Sequence, residues 1–378
     1  MKVNLMLSAF ICFLVGATAF QSLAQETNSS PNATNSMTVE ELKTKAESGD
    51  AVSQINLGKM YENGQGVSQD QTEAVKWYRK AAVQGDDVAQ FNLGIMYDNG
   101  YGATKDETEA VKWYRKAAEQ GLPQAQYNLG RMYEKGRGLI KDNVEAVKWY
   151  GKAAQQGFPQ AQYNLGVMYC NGQGVDRDYS EAIKWYRKSA EQGHREAEEA
   201  IGWMYANGWG VKENYFEAVK WHRKAAENNL AQAQFNLGYC YATGEGVVKD
   251  NKEAAKWYRK AAEQGLVPAQ YNLGAFYSNG NGVPKDPSEA AKWFLKAASQ
   301  GDADAQNQMA NIYHEGDGVP VNYVEAYKWV LLAAANGNEA AKKMRSTMER
   351  QTLTREQIDK GQHMAANFKP RIESGSDY

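Results

Sequence analysis

Residues 86–121 read DDVAQFNLGIMYDNGYGATKDETEAVKWYRKAAEQG, and this stretch of 36 residues recurs in eight consecutive copies over residues 50–337. Self-similarity at a fixed period of roughly 20 to 50 residues is typical of a solenoid, in which each copy is one supersecondary unit. One tryptophan recurs at the same place in every copy, and we interpret it as a core residue of the repeat: Trp77, Trp113, Trp149, Trp185, Trp221, Trp257, Trp293 and Trp329.

The first half of each copy predicts a helix, which we call helix A. Leu93 and Tyr97 are spaced so that they lie on one helical face. Gly94 lies inside this helix, where glycine costs about 1 kcal/mol relative to alanine, so its recurrence indicates the close approach of another helix. Gly100 and Gly102 then end helix A and predict a turn with positive φ.

The second half of each copy predicts helix B. Asp106 followed by Glu109 resembles a capping box, in which the aspartate accepts from free helix amides and the glutamate reaches back to the cap amide. Trp113 and Ala117 lie on one face of this helix, and Gly121 is a typical helix stop. A single helix-turn-helix unit cannot bury its own apolar face, so neighbouring units must stack into an all-α solenoid.

The recurring pattern A-x-x-x-L-G-x-x-Y-x-x-G-x-G-V, followed by D-x-x-x-A-x-x-W-Y, resembles the Sel-1-like repeat family. One copy matches it at Ala161, Leu165, Gly166, Tyr169, Gly172, Gly174, Val175, Asp178, Ala182, Trp185 and Tyr186. The resemblance implies a right-handed α/α superhelical solenoid of eight repeats with helical caps, which acts as an interaction scaffold without chemistry of its own. Residues 40–50 are similar to the start of secreted enterobacterial members, one of which binds host immunoglobulin, while Legionella members promote host-cell entry.

The N-terminus has the features of a cleaved secretory signal over residues 1–24. Lys2 supplies the positive charge, residues 5–19 are mainly apolar, and Ser22-Leu23-Ala24 offers small residues at the expected cleavage positions. The alternative is a membrane anchor, but the apolar run is shorter than the roughly 20 residues that a span needs. We therefore expect the mature protein to be periplasmic or secreted, with no integral membrane segment after cleavage.

The remaining segments flank the repeats. Residues 25–37 are polar and of low complexity, which predicts a disordered linker. Residues 38–49 predict an N-terminal capping helix. Residues 338–378 predict a C-terminal helical cap and tail, in which Thr354 and Gln357 form a possible capping box.

Composition excludes several classes of function. With 43 basic and 45 acidic residues the chain carries a net charge of −2, so it has no electrostatic footprint for nucleic acid. The four histidines do not form a metal-binding spacing with each other or with cysteine, so we expect no metal and no cofactor: His194, His222, His314 and His363.

The cysteines bear on an enzymatic alternative. Cys170 and Cys240 lie two repeats apart, which predicts separate thiols rather than a disulfide. The chain thus departs from the cysteine-rich Helicobacter members, whose resemblance would imply β-lactam binding. Because we also find no catalytic constellation, we predict that the chain is not an enzyme, and a β-lactamase-type hydrolase is the weaker alternative.

Variable positions on helix A are the candidates for partner binding, because constant positions build the core. Aromatic residues and arginine are the usual anchors of a binding patch. The candidate partner-binding residues are Tyr127, Arg131, Tyr163, Trp203 and Tyr239 on helix A, together with Trp209 in the Gly-x-Gly turn. For the aromatic residues that recur at the position of Tyr127, packing between neighbouring helices is the open alternative.

The sequence therefore favours an exported interaction scaffold that binds a peptide or protein on the concave face lined by helix A, with a role in host interaction. The main alternative is an adaptor of the bacterial envelope or of a secretion system. A eukaryotic lumenal adaptor is disfavoured by the bacterial style of the signal. Neither the partner nor the oligomeric state follows from the sequence.

Overall fold

The computed structural model describes residues 37–371, and within this range the chain is entirely α-helical with no β-strand. The predicted signal peptide, the linker up to Ser36 and the tail from Ile372 lie outside the described residues.

The described part of the chain contains nineteen helices. In chain order they are α1 (Val39–Glu47), α2 (Ala51–Asn63), α3 (Gln71–Val83), α4 (Asp87–Asn99), α5 (Glu107–Glu119), α6 (Pro123–Lys135), α7 (Asn143–Gln155), α8 (Pro159–Asn171), α9 (Tyr179–Glu191), α10 (Arg195–Asn207), α11 (Tyr215–Glu227), α12 (Ala231–Thr243), α13 (Asn251–Glu263), α14 (Val267–Asn279), α15 (Pro287–Ser299), α16 (Ala303–Glu315), α17 (Tyr323–Ala335), α18 (Glu339–Gln351) and α19 (Arg355–Ala366).

The even-numbered helices α2 to α16 are the predicted helices A, and the odd-numbered helices α3 to α17 are the predicted helices B. They form adjacent pairs, for example α4 with α5, and within a compact unit a pair contacts the next one, for example α5 with α6. This arrangement confirms the predicted all-α fold of eight stacked helix-turn-helix repeats. Helix α19 begins with the capping box predicted at Thr354 and Gln357.

The chain divides into two compact units. The first contains the described residues up to Ala200 together with Trp209–Val211, and the second contains Ile201–Gly208 and the residues from Lys212 onwards. Each unit has its own apolar core, built from the alanines, leucines and aromatic rings that recur on facing helices.

The glycine inside helix A lies beneath an aromatic ring of helix B. A Cβ atom added to Gly94 would lie 2.7 Å from Cδ1 of Tyr114, so no larger residue fits without displacing the ring. The predicted close approach is therefore that of a side chain. Six other repeats form the same pair: Gly58 with Tyr78, Gly130 with Tyr150, Gly166 with Tyr186, Gly202 with His222, Gly238 with Tyr258, and Gly274 with Phe294.

The eighth repeat changes both partners of this pair together. Ala310 replaces the glycine and Val330 replaces the ring, and both are fully buried. The smaller partner on helix B thus accompanies the larger residue on helix A, as a constraint on their summed volume requires.

The two glycines of the turn have different roles. Gly100 has φ 76° and ends α4 in the left-handed conformation. Gly102 has φ 63°, and a Cβ atom added to it would lie 2.0 Å from the carbonyl oxygen of Gln71 in the preceding repeat. The second glycine is therefore needed for the backbone contact between successive repeats.

The capping box predicted for helix B is wrong in one of its two parts. Asp106 does accept a hydrogen bond from the Glu109 amide at 2.9 Å. The Asp106 amide, however, already donates to the Tyr97 carbonyl at 2.9 Å. The Glu109 carboxylate instead accepts from Trp113 Nε1 at 3.0 Å and pairs with Lys112 at 2.7 Å.

The recurring tryptophans are packed, with a lysine lying over each ring. Five of them are at most 9 % exposed, and Trp185, Trp221 and Trp257 are half-buried. Lys80 Nζ, for example, lies 3.7 Å from the ring centroid of Trp77, a cation–π contact that also shields the ring from water. This burial supports the interpretation of the tryptophans as core residues.

Glutamine side chains connect successive repeats. Gln90 Nε2 donates to the Ala82 carbonyl at 3.2 Å, and Gln120 Nε2 donates to Gln90 Oε1 at 2.9 Å. In the fifth repeat a fully buried glutamate, Glu198, stands where the other repeats have the first of these glutamines. The side-chain amide that donates in the other repeats is thus replaced by a carboxyl group in the fifth.

A half-buried histidine lies four residues before Glu198 in the chain. The His194 ring, which precedes α10, stacks on Tyr163 at 5.0 Å between centroids. Burial lowers the pKa of His194, and the nearby Glu196 carboxylate, 3.4 Å from Nδ1, opposes this effect. The neutral imidazole is therefore the form that the folded state favours.

We predict that Gly94→Ala destabilises the protein by about 1 kcal/mol or more, since overpacking against Tyr114 outweighs the gain in helix propensity. Gly151→Ala is the matched control, because nothing lies within 4 Å of a Cβ atom added there. Gly151→Ala should raise the free energy of unfolding by about 1 kcal/mol. Thermal melts of both variants and of the wild type measure these changes. Equal effects of the two substitutions would contradict the packing of the ring on Gly94.

We also predict that stability falls as the pH drops below about 6.5, where the unfolded chain begins to bind a proton at His194 more readily than the folded chain does. His194→Gln should reduce this loss in melts between pH 7 and pH 5.5. The exposed His363 serves as the control, so His363→Gln should keep the wild-type dependence. An unchanged pH profile for His194→Gln would refute the assignment.

Candidate functional site

One position of helix A is partly exposed in every repeat while its identity changes from repeat to repeat. It directly follows the buried glycine or alanine, and we call the eight residues the helix-A stripe. The stripe consists of Lys59, Ile95, Arg131, Val167, Trp203, Tyr239, Ala275 and Asn311. A position that is accessible and variable can contact a partner without disturbing the core.

The aromatic position one turn earlier on helix A mostly packs against rings of its own repeat and of the next. Tyr127 is 4 % exposed and lies 5.7 Å from the Tyr150 ring and 5.4 Å from the Phe158 ring. Tyr163 is half-buried, with the Tyr186 ring at 5.6 Å. The structure thus gives Tyr127 a packing role, and we leave it out of the proposed binding surface.

Arg131 belongs to the stripe and lies close to an ionic cluster of the first unit. Its guanidinium carbon lies 5.8 Å from the Tyr127 ring centroid. Nearby, Arg137 pairs with Asp98 at 2.6 Å and with Glu107 at 2.9 Å. Burial raises the pKa of Asp98, and the charge of Arg137 opposes this rise.

Trp209 lies at the edge formed by the Gly-x-Gly turns. Its ring is stacked on Tyr179, with centroids 5.4 Å apart and planes at 13°. Arg177 lies 6.0 Å from the same tyrosine ring. Tyr179 is the first residue of helix B in the preceding repeat. In the repeat pattern Trp209 corresponds to Arg137, and Tyr179 corresponds to Glu107, the residue with which Arg137 pairs. Trp209 is therefore a contact between repeats at the turn edge and does not belong to the helix-A stripe.

Two stripe residues of the second unit are large and partly exposed. Trp203 contacts His222 edge-on, with centroids 6.1 Å apart. Tyr239 lies on the next helix A, where burial together with the Glu245 charge raises its pKa. The other four predicted anchors, Tyr127, Arg131, Tyr163 and Trp209, belong to the first unit.

Sequence reasoning missed a group of exposed apolar residues at the start of α11. Tyr215 is 39 % exposed and Phe216 is 64 % exposed, and Val248 in the next turn is 86 % exposed. No other repeat has two aromatic residues at the first two positions of helix B. This departure from the repeat pattern is the signal that could have identified them.

The described residues contain no cluster of three or more His, Cys, Asp or Glu side chains that could hold a metal ion. Cys170 and Cys240 are buried thiols. None of the helices in residues 37–371 combines the length and the apolar character that a membrane span requires.

Comparison with known proteins identifies the repeat. The Sel1 repeat family matches the chain eight times, at residues 51–86, 87–122, 123–158, 159–194, 195–230, 231–266, 267–302 and 303–338. A search of curated protein sequences found no significant match.

Two solved structures support this assignment. The chain is 32 % identical to c5321, a protective antigen of uropathogenic Escherichia coli with an SLR fold, over 89 % of this chain and 95 % of that one, with a TM-score of 0.56. It is 35 % identical to a Sel1 repeat protein from Oxalobacter formigenes, over 82 % and 89 % of the two chains, with a TM-score of 0.66. The chain belongs to the Sel1 repeat family, whose members generally act as protein-interaction scaffolds.

Proposed function

We propose that the chain is an exported, non-enzymatic scaffold that binds a peptide or protein segment along the helix-A stripe. The observation that carries this proposal is the contrast between positions of the same helix. The stripe residues are partly exposed in all eight repeats and differ in chemistry, whereas the glycine beside them is constant except for Ala310 and is packed. Partner choice then resides in the stripe and structural stability in the constant positions.

The second unit offers the strongest anchors within the stripe. Trp203 and Tyr239 occupy the same position in successive repeats, so they lie on successive helices A. Tryptophan and tyrosine contribute disproportionately to binding energy, because a large rigid ring is desolvated at a low cost in conformational entropy. In the first unit, Arg131 is the candidate anchor at the same position of helix A.

Two observations support export and a role at the host surface. Residues 1–24 have the charge and apolar pattern of a secretory signal. The similar protein from uropathogenic Escherichia coli is a protective antigen. An envelope adaptor is the alternative, and it would require the same stripe but a partner from the bacterial envelope.

The test begins with capture of binding proteins on the purified chain, from periplasmic extract and separately from host-cell lysate. Each captured protein is then purified and its Kd measured. We predict that Trp203→Ala and Tyr239→Ala each weaken binding by about 1–3 kcal/mol, roughly 5- to 150-fold, with no change in the melting temperature.

Tyr323→Ala is the matched control, because Tyr323 is an exposed tyrosine, 38 % accessible, that lies outside the stripe. It should leave the Kd unchanged. Loss of binding in all three variants, or unfolding of the two stripe variants, would contradict a specific role of the stripe. A partner found only in the envelope would replace the host role with that of an adaptor.

A further inference from the structure

The second unit carries an exposed surface in which aromatic and acidic side chains adjoin. It lies where α11 begins and where the turn after α12 passes beside it. We call it the acidic–aromatic patch, and it consists of Glu213, Tyr215, Phe216, Tyr239 and Glu245.

The backbone brings these residues together. A Cβ atom added to Gly246 would lie 2.2 Å from the Tyr215 carbonyl oxygen and 3.0 Å from the Phe216 amide nitrogen, so the turn lies directly on the first residues of α11. Glu245 precedes this glycine and is therefore adjacent to Tyr215. Burial and the charges of Glu213 and Glu245 raise the pKa of Tyr215, and burial and the charge of Glu245 raise that of Tyr239, so one carboxylate acts on both hydroxyl groups.

The patch has features that folding does not require. Phe216 is 64 % exposed, although the other repeats place a non-aromatic residue at this position. Glu213 and Glu245 are exposed, and their carboxylates form no ion pair or hydrogen bond within residues 37–371. Exposed aromatic rings beside unpaired carboxylates form a surface that is both apolar and negatively charged.

The first unit shows what completes such a surface. Arg137 has the same place in its turn as Glu245 has in the second unit, and its guanidinium donates to Glu107, which corresponds to Tyr215. The chain thus supplies its own cation at this edge in the first unit. In the second unit the turn residue is itself acidic, so this position lacks the arginine.

Elsewhere in the fold, cations lie over aromatic rings as a rule. Each recurring tryptophan has a lysine against it, and within the patch Lys220 Nζ lies 5.2 Å from the Phe216 ring centroid. Lys220 is also paired with Glu217 at 2.6 Å, so its charge is already partly compensated. The rings of Tyr215 and Tyr239 offer the same kind of aromatic face to a further cation.

We propose that the acidic–aromatic patch binds a cationic peptide segment, with arginine or lysine side chains paired to Glu213 and Glu245 and lying against the rings of Tyr215, Phe216 and Tyr239. Arginine is favoured, because its planar guanidinium can both pair with a carboxylate and stack on a ring. This inference rests on the proposed function, since Tyr239 belongs to the helix-A stripe as well, and it specifies the chemistry of the partner.

The test uses the purified full chain and three fluorescent peptides of equal length. Each contains one tryptophan. The three peptides differ only at one set of variable positions, which are all arginine, all glutamate or all serine. We expect the arginine peptide to bind about tenfold or more tightly than the serine peptide by fluorescence anisotropy, and its affinity to fall as salt rises. The glutamate peptide should bind most weakly.

Glu213→Gln together with Glu245→Gln removes both charges with little change in shape. This variant should weaken binding of the arginine peptide about tenfold and leave the serine peptide unaffected. The control is Glu227→Gln together with Glu263→Gln, which removes two exposed glutamates at the ends of α11 and α13 and should retain wild-type affinity.

Equal affinity for the arginine and serine peptides, or wild-type affinity of the Glu213→Gln, Glu245→Gln variant, would overturn the inference. If Trp203→Ala still abolishes binding of a captured partner in that case, the proposed function stands without the preference for cations. If the stripe variants keep their partner while the patch variant loses the arginine peptide, the charge preference holds and the stripe is wrong.

Discussion

The whole repeat depends on the packing of one helix-B side chain against a position of helix A that has little or no side chain. A ring cannot approach the helix backbone this closely if a Cβ atom intervenes, as the 2.7 Å separation at Gly94 shows. The eighth repeat keeps the constraint with different residues, because Ala310 is opposite the smaller Val330. The ring and the small residue opposite it together limit how closely the two helices of each pair can approach.

The other recurring contacts extend this arrangement along each unit. The second turn glycine lies on the backbone of the preceding repeat, and the glutamine side chains join successive helices. Arg115 further donates to the hydroxyl of Tyr133 in the next repeat at 2.8 Å. These contacts use almost all constant positions, so the residues that remain free to vary, on the helix-A stripe and at the turn edge, are those that can distinguish one partner from another.

Much of this fold follows from the sequence, because period, capping residues and turn glycines are local signals. Contacts made across the turn were harder to foresee. The predicted hydrogen bond from the Asp106 amide to Glu109 is wrong, because this amide already donates to the Tyr97 carbonyl. Residue spacing alone could not show whether Tyr127 is buried or accessible, because its burial depends on aromatic rings of its own repeat and of the next repeat. The patch around Tyr215 could not be predicted from the sequence, because its prediction requires knowing which turn lies on which helix.

The most direct test of the account is amide hydrogen exchange of the chain, free and bound to its captured partner. If variable helix-A positions hold the partner, protection should rise in α10 and α12 and in the turn that contains Gly244 and Gly246. Amide protection should be nearly unchanged in the parts of α11 and α13 that carry the tryptophan and lysine pairs. Protection confined to those tryptophan-bearing surfaces, with α10 and α12 unaffected, would contradict the division between constant scaffold and variable binding stripe.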